Sequence, residues 1–354
     1  MHSPILGCSK NYFYGNLIGG KLHIFMDESG TFSGGDANSI SVVGGLAIPD
    51  GKLDVIRKKY AKIRKALPLD KGEVKGRALN EKQINDVVTM LTRNEVIYEA
   101  TVTDRGLYSE SDVIAFKNKH ADAVTNRLDL FAEPDRTEVR AAIEEMRKTS
   151  IPLYIQALLT FETLQSLINN IPSYFSQRRP QELGQFVWVV DGKDRRKETK
   201  WETWWSWYAC GALPNMSKHC PAPSFEKGDY SYFNKFRRVD GNDVGVDVRL
   251  LMSNLTFSSD VTPELELIDI VTTATRRALK GSLQASGWEG LSKLMIHRVG
   301  EPYLRFISLE QAHTPKHEAY TDIRRRVDYG EIINKQFSTG GKLMLAPQFR
   351  LPPP

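Results

Sequence analysis

The chain has 354 residues, of which 41% are hydrophobic and 26% charged, so it can bury a sizeable core as one large domain or two smaller ones. Its net charge of +5 is compatible with a nucleic-acid partner without requiring one. Three cysteines exclude a disulfide framework and fit no zinc spacing, so we expect a reduced, cytoplasmic protein. No apolar run approaches about 18 residues and the N-terminus lacks a signal-peptide pattern, so we expect no membrane span.

Hydrophobic periodicity predicts an α/β protein in which a lead-in over residues 1–20 precedes the main domain at 21–300 and an extension follows at 301–354. Strands are predicted at 22–28, 40–48, 95–104, 185–191, 246–254 and 294–299. Helices are predicted at 52–67, 81–91, 116–131, 151–175 and 262–280. Residues 111–176 form a helical insert, with an exposed connection or short helix around 133–136.

Two predicted strands end in an aspartate. The first ends in Asp27-Glu28-Ser29-Gly30, and the nearly all-apolar strand at 185–191 ends in Asp191 followed by glycine. If these strands are adjacent and parallel, their ends lie on the same edge of the sheet, where α/β proteins usually bind ligands. Glu28 alternates away from Asp27 along the strand, so the two need not share one site.

A later helix supplies two more acids. Glu266 and Asp269 are three residues apart, so both project from one side of the helix. Carboxylates gathered at one point suit Mg²⁺ or Mn²⁺, and two such ions about 4 Å apart catalyse phosphodiester hydrolysis in many enzymes. The alternatives are that the aspartates at the strand ends form turns or cap helices, and that the helical pair is only solvated.

Four elements in this order resemble the family known as domain of unknown function 3800, which is similar in fold to ribonuclease H. The first is the strand that runs into the Asp-Glu-Ser-Gly tetrapeptide at 27–30, and the second is Glu73-Val74-Lys75-Gly76. The third is Val189-Val190-Asp191, and the fourth is the helix carrying Glu266-Leu267-Ile268-Asp269. The resemblance spans about residues 22 to 280.

The resemblance implies a ribonuclease H-like mixed β-sheet flanked by helices, with the helical insert and the C-terminal extension added. It implies a divalent-metal site at Asp27, Asp191 and Asp269, with Glu28 or Glu73 as a fourth carboxylate. Glu266 stands where the family usually has glutamine, and Ile268 where it usually has alanine. These departures place the role of Glu266 as a metal ligand in question.

Several basic residues are candidates for binding phosphates. Lys75 follows Glu73 at a spacing that puts both side chains on one side of an extended backbone, and a lysine beside carboxylates can contact a scissile phosphate. Arg195 and Arg196 follow Asp191 closely, and Lys235, Arg237 and Arg238 lie among aromatic residues. The alternative for each is a solvated surface charge.

Tryptophans are concentrated in Trp201–Tyr208, which is predicted to be a helix. Its aromatic stripe is either a platform on which unpaired bases stack or a surface that packs on the sheet or on a partner chain, and we favour packing. Trp207 lies off the stripe and is the better candidate for an exposed contact, either with nucleic acid or with a protein partner.

We therefore expect a Mg²⁺- or Mn²⁺-dependent nuclease that cleaves DNA or RNA. The resemblance to the family implies a role in a mobile element or in antiviral defence. The main alternative is a non-catalytic subunit that binds nucleic acid or protein through the Trp-rich helix. A third possibility, a phosphotransferase, lacks a second glycine-rich phosphate loop in this sequence.

Overall fold

A computed structural model of the chain describes residues 19–34, 38–126, 128, 133–192, 199–205, 228–240, 243–296 and 304–309. Its centre is a six-stranded mixed sheet with helices on both faces, which confirms the predicted α/β class. This sheet is the frame for locating the candidate residues that fall within the described ranges, among them Glu28 and Glu73.

The sheet has the order β7-β4-β1-β2-β3-β8, and β2 runs antiparallel to β1 and β3 while the other pairs are parallel. A separate hairpin joins β5 and β6. The strands are β1 Lys21–Ser29, β2 Ile40–Pro49, β3 Ile97–Asp104, β4 Gln185–Asp191, β5 Arg237–Asp240, β6 Asp243–Val246, β7 Leu255–Ser258 and β8 Leu304–Phe306.

Two helix starts follow their sequence signals closely. Asn80 and Gln83 form a reciprocal capping box at the start of α2, and the Thr262 side chain accepts a hydrogen bond from the Leu265 amide at the start of α8. The helices are α1 Asp50–Arg64, α2 Glu81–Thr92, α3 Glu110–Thr125, α4 Glu133–Lys148, α5 Ile151–Arg178, α6 Lys200–Trp204, α7 Val248–Leu251, α8 Pro263–Leu279 and α9 Ala285–Trp288.

The sheet separates two hydrophobic cores, because successive side chains of a strand point to opposite faces. Leu22, Ile24 and Met26 of β1 belong to the core that contains α5. Phe25 belongs to the other core, which contains α1, α2 and α8. Asp27 therefore lies on the α8 side of the sheet, as the next odd-numbered residue after Phe25.

Some sequence-based boundaries are wrong, for local reasons. The strand predicted at 246–254 is interrupted by α7, because the Asp247 side chain accepts a hydrogen bond from the Leu250 amide and starts a helical turn. Of the strand predicted at 294–299, Leu294 ends a 3-10 helix over Glu289–Leu294, residues 295–296 are not in a strand, and residues 297–299 lie outside the described ranges. The next described strand is β8. The helix predicted at 116–131 corresponds to α3, which begins earlier, at Glu110. Of the two alternatives given for 133–136, the helix is confirmed, and it is longer than expected as α4.

The predicted C-terminal extension contributes to the sheet, because β8 pairs with β3 in parallel. Among the helices in the described part of the chain, none is long and apolar enough to cross a membrane.

Candidate active site at the ends of β1 and β4

Asp27 and Asp191 stand side by side at the ends of two neighbouring strands. β1 and β4 are parallel, and their register pairs Met26 with Val190, so the next residue on each strand is an aspartate. Neighbouring strands lie about 4.8 Å apart, and residues in register point to the same face. The condition on which the sequence argument depends, that these two strands are adjacent and parallel, is met.

Gly44 makes room beside Asp27 for α8 to approach the sheet. It is the β2 residue paired with Asp27, and a Cβ atom built there would lie 2.6 Å from the Thr272 hydroxyl and 2.7 Å from the Tyr98 ring. Asp27 itself is only 8% exposed, and its Oδ1 accepts a hydrogen bond of 2.7 Å from the Glu28 amide. The missing side chain at Gly44 thus lets the helix cover the strand end.

Asp269 is held at the same place by two sets of contacts. Its Oδ2 accepts a hydrogen bond of 2.8 Å from the Gly76 amide, and its Oδ1 lies 3.2 Å from the Thr273 hydroxyl. Thr273 in turn lies 3.2 Å from the hydroxyl of Ser29, which follows Asp27 by two residues on the same face of β1. A continuous polar chain therefore links Asp269 to the end of β1.

The turn before Gly76 brings Glu73 and Lys75 to the carboxylates. Lys75 has an extended backbone, and its Nζ donates a hydrogen bond of 2.6 Å to Glu73 Oε1. The two side chains therefore share one side of the turn, as their spacing predicts. Both are partly buried, with 35% of the Lys75 side chain and 25% of the Glu73 side chain exposed.

The pKa values show that these groups act on one another. Burial, together with the charges of Glu73, Asp269 and Glu202, raises the pKa of Asp191 to about 6 against the opposing effect of Lys75. Burial also raises the pKa of Asp269, although the Gly76 amide and Lys75 oppose it. Burial lowers the pKa of Lys75, but Glu73, Asp269 and Asp191 outweigh that effect and raise it.

Glu266, a candidate metal ligand, has another role in the structure. It is 1% exposed, and its two oxygens accept four hydrogen bonds: two from Arg64 at 2.7 Å each, one from the Tyr60 hydroxyl at 2.9 Å and one from the Val74 amide at 2.8 Å. These donors occupy the lone pairs that a metal would need. The assignment of Glu266 as a ligand is therefore corrected: it anchors the turn that carries Glu73 and Lys75.

Glu28 is not brought to the site either. It pairs with Val43, which belongs to the core on the α5 side, whereas Asp27 pairs with Gly44 beneath α8. The Glu28 side chain thus points to the opposite face of the sheet from Asp27. This corrects its assignment as a fourth carboxylate, and Glu73 is the remaining candidate.

Arg195, Arg196 and Trp207, three candidates for nucleic-acid contacts, lie outside the described residues. Lys235 and Arg237 are described, and each rests on an aromatic ring of its own chain. Lys235 Nζ is 5.3 Å from the centre of the Phe236 ring, and Arg237 Cζ is 5.3 Å from the centre of the Tyr230 ring. These rings stabilise the cations within the protein.

The segment that carries Lys235, Arg237 and Arg238 lies away from the carboxylates. The Phe236 ring packs 5.3 Å from the Phe186 ring in the core on the α5 side. Phe186 is near the start of β4 and Asp191 is at its end, about 16 Å along the strand. The structure therefore does not bring this basic segment to the carboxylate site.

The aromatic stripe packs in the core, as we favoured. Trp201 is 4% exposed and Trp205 is fully buried against Phe257 of β7. Trp201 and Trp204 stack with their ring centres 5.3 Å apart. These three tryptophans therefore contribute to the fold, and the described part of the stripe offers little surface for bases.

One acid near the site was missed from the sequence. Glu202 is 6% exposed, and its negative charge contributes to the raised pKa of Asp191. Its carboxylate also accepts hydrogen bonds from the backbone amide and the hydroxyl of Thr199 at the start of α6. The Thr-x-x-Glu spacing signals that capping role in the sequence, but nothing there signals proximity to Asp191.

The donor set at this site consists of carboxylate oxygens, which are the ligands that Mg²⁺ and Mn²⁺ prefer. Within the described residues, no three Asp, Glu, His or Cys side chains are already arranged around a common point as a metal ion requires. Instead, the ammonium group of Lys75 provides the positive charge next to Asp191 and Asp269.

Comparisons with protein-family models, with curated proteins and with solved structures found no match to this chain.

Proposed function

We propose that the protein is a Mg²⁺- or Mn²⁺-dependent nuclease that hydrolyses phosphodiester bonds in DNA or RNA. One observation carries this proposal: Asp27 and Asp191 are in register at the ends of adjacent parallel strands, and Asp269 is tied to the same strand end through Thr273 and Ser29. Carboxylates at such an edge, two of them with raised pKa values, are typical of functional sites.

Each residue of the candidate site has a defined part in this proposal. Asp27, Asp191 and Asp269 would hold the metal, with Glu73 as a fourth carboxylate. Lys75 would exchange its contact with Glu73 for a non-bridging oxygen of the scissile phosphate and hold that phosphate at the carboxylates. When bound, the divalent ion supplies activation of water and stabilisation of the leaving oxygen.

A ribonuclease H-like fold and kinship with the family known as domain of unknown function 3800 are part of the same proposal. The mixed sheet, with only β2 antiparallel to its neighbours and helices on both faces, is compatible with them. The Asp-Glu-Ser-Gly and Glu-x-Lys-Gly elements also support them, because Asp27 and the turn with Glu73 and Lys75 belong to one site. A cytoplasmic role in defence against mobile elements or viruses extends this proposal.

The alternative is a non-catalytic subunit that binds nucleic acid or protein. One observation favours it: the ammonium group of Lys75 already supplies a counter-charge to the acids of the site. Under this alternative the carboxylates and Lys75 only stabilise the strand ends, and contacts of Trp207 with a partner carry the function.

Cleavage assays with single carboxylate variants separate the two. Purified protein is incubated with labelled DNA and RNA substrates and Mn²⁺, and Asp27→Asn, Asp191→Asn and Asp269→Asn are compared with the control Asp86→Asn. Asp86 is an exposed acid of α2 that pairs only with Lys82 in the described part of the chain. Thermal denaturation of each variant verifies that it is folded.

The nuclease proposal predicts cleavage that needs Mn²⁺, persists in Asp86→Asn and falls by at least about 100-fold in each site variant, because loss of a ligand costs several kcal/mol of transition-state stabilisation. Cleavage that survives Asp27→Asn and Asp191→Asn overturns the site. If Mn²⁺ neither supports cleavage nor raises the unfolding temperature, the subunit alternative takes its place.

A further inference from the structure

The positive charge of this protein is concentrated on one helix. Residues 50–65, which comprise α1 and the residue after it, contain seven Lys or Arg and two Asp, a formal charge of +5. The whole chain also has a formal charge of +5, so the other residues sum to zero. A charge so localised creates a positive field over one part of the surface.

Part of that charge is used within the fold. Three basic side chains of α1 pair with carboxylates of other elements: Lys52 with Glu95 at 3.7 Å, Arg57 with Glu264 at 2.6 Å and Arg64 with Glu266 at 2.7 Å. Lys59 donates a hydrogen bond of 3.1 Å to Asn94. These four side chains hold α1 against its neighbours and have a structural role.

Lys58, Lys62 and Lys65 remain, and we call them the basic stripe. All three are exposed, and none forms a salt bridge with another described residue. Their spacings of four and three residues place them on one side of the helix, about 10 Å from end to end. That side is opposite the apolar face of α1, which includes Leu53 and Ile56.

The basic stripe ends next to the turn that builds the carboxylate site. Arg64, the residue before Lys65, donates a hydrogen bond of 2.7 Å to the Gly72 carbonyl. The same turn continues through Glu73 and Lys75, whose charges act on Asp191. Lys65, at the end of the stripe, thus follows a residue that is tied to the segment carrying Glu73 and Lys75.

We propose that the basic stripe binds the sugar-phosphate backbone of a nucleic acid and holds it against the protein beside the carboxylate site. This inference rests on the proposed function for the identity of the partner. Exposed lysines without acidic partners can replace the counterions that surround a nucleic-acid backbone. An anionic membrane fits less well, because a helix that lies on a membrane inserts its apolar face, and Leu53, Ile56 and Tyr60 are buried in the core.

The test measures binding of labelled duplex DNA, single-stranded DNA and RNA by fluorescence anisotropy over a range of salt concentrations, with EDTA present so that nothing is cleaved. It compares the wild type with Lys58→Gln/Lys62→Gln/Lys65→Gln. The matched control is Lys21→Gln/Lys119→Gln/Lys293→Gln, which removes three exposed lysines from other parts of the surface.

Removal of the stripe is expected to reduce the slope of log K against log salt by about 2 to 3 and to weaken binding by on the order of 100-fold near 0.15 M salt. The control is expected to bind as the wild type does. If the stripe variant binds nucleic acid as tightly as the wild type, the proposal is overturned, as it also is if the wild type prefers anionic lipid vesicles to every nucleic acid. Binding is measured without cleavage, so the two proposals can fail separately. A protein that binds nucleic acid through the stripe but cleaves none refutes the nuclease proposal and leaves the binding proposal intact.

Discussion

The amide of Gly76 donates a hydrogen bond of 2.8 Å to Oδ2 of Asp269, which joins a short turn to the helix that carries the third carboxylate. Arg277 strengthens this junction by donating to the carbonyls of Gly76 and Leu79, at 3.2 and 2.6 Å. The turn and α8 therefore form one unit, and the position of Lys75 depends on it.

Gly76→Ala tests this junction. A Cβ atom at residue 76 would lie 2.9 Å from the Ile270 Cα and 2.9 Å from the Thr273 Cβ, so the turn must move away from α8. We expect a loss of about 1–3 kcal/mol in the free energy of unfolding, measured by urea denaturation. Gly51→Ala is the control, because its nearest neighbour would be 3.8 Å away and alanine is better than glycine inside a helix. Equal stability of Gly76→Ala and the wild type would contradict the close packing.

Glu266→Ala and Glu266→Gln test whether Glu266 positions the turn. Alanine leaves Arg64 and the Val74 amide without their acceptor, so we expect a loss of about 3 kcal/mol in stability. Glutamine retains one oxygen for the Val74 amide and is expected to cost less. Manganese titrations followed by thermal shift should show that Glu266→Gln binds Mn²⁺ as the wild type does, whereas Asp269→Asn does not. Equal loss of Mn²⁺ binding in the two variants would make Glu266 a ligand after all.

That Asp27 and Asp191 each end a strand could be predicted from the sequence because that signal is local, whereas the pairing of the two strands could not. Apolar residues with period two identify the strands, and the first acid after each apolar run marks the strand end. Adjacent parallel strands then leave those two ends at one edge. The register of Met26 with Val190 agrees with this reasoning, residue for residue.

The roles of Glu266 and Asp269 could not be separated in the same way. Their spacing of three residues puts both on one side of α8, and the sequence contains no information on how the helix is rotated against the sheet. That rotation follows from packing with α1. Tyr60 and Arg64 of α1 donate hydrogen bonds to Glu266, whereas Asp269 accepts a hydrogen bond from the Gly76 amide. Contacts between residues about 200 positions apart decide the assignment, and one sequence alone does not reveal them.

Lys75→Met tests whether this lysine acts as the counter-ion of the metal-free site. Its removal leaves the charges of Asp191 and Asp269 less compensated, so metal-free protein should unfold at a lower temperature. Mn²⁺ should then stabilise the variant more than it stabilises the wild type, and about tenfold tighter binding would add about 1.4 kcal/mol at saturating metal. Lys71→Met is the control, since Lys71 is exposed in the same turn. A lysine that contacts only substrate phosphate would leave Mn²⁺ binding unchanged.

Asp191→Asn should change how stability depends on pH in the metal-free protein. The pKa of Asp191 is raised from 3.8 to about 6, first by burial and then by the neighbouring acids, so the folded state holds its proton more tightly than the unfolded state does. The stabilisation that this proton provides is complete below pH 3.8 and is lost as the pH rises through about 6.

Asparagine is neutral at every pH between 3.8 and about 6, so Asp191→Asn and the wild type should have similar stabilities near pH 3.8. The variant should become progressively more stable than the wild type as the pH approaches and passes 6. Urea denaturation in EDTA at a series of pH values measures this difference, and Asp86→Asn, at a half-exposed aspartate that pairs with Lys82, is measured alongside as the control. A constant difference between Asp191→Asn and the wild type across the range would mean that Asp191 titrates like an ordinary surface aspartate, and that the carboxylates do not act on one another at this strand end.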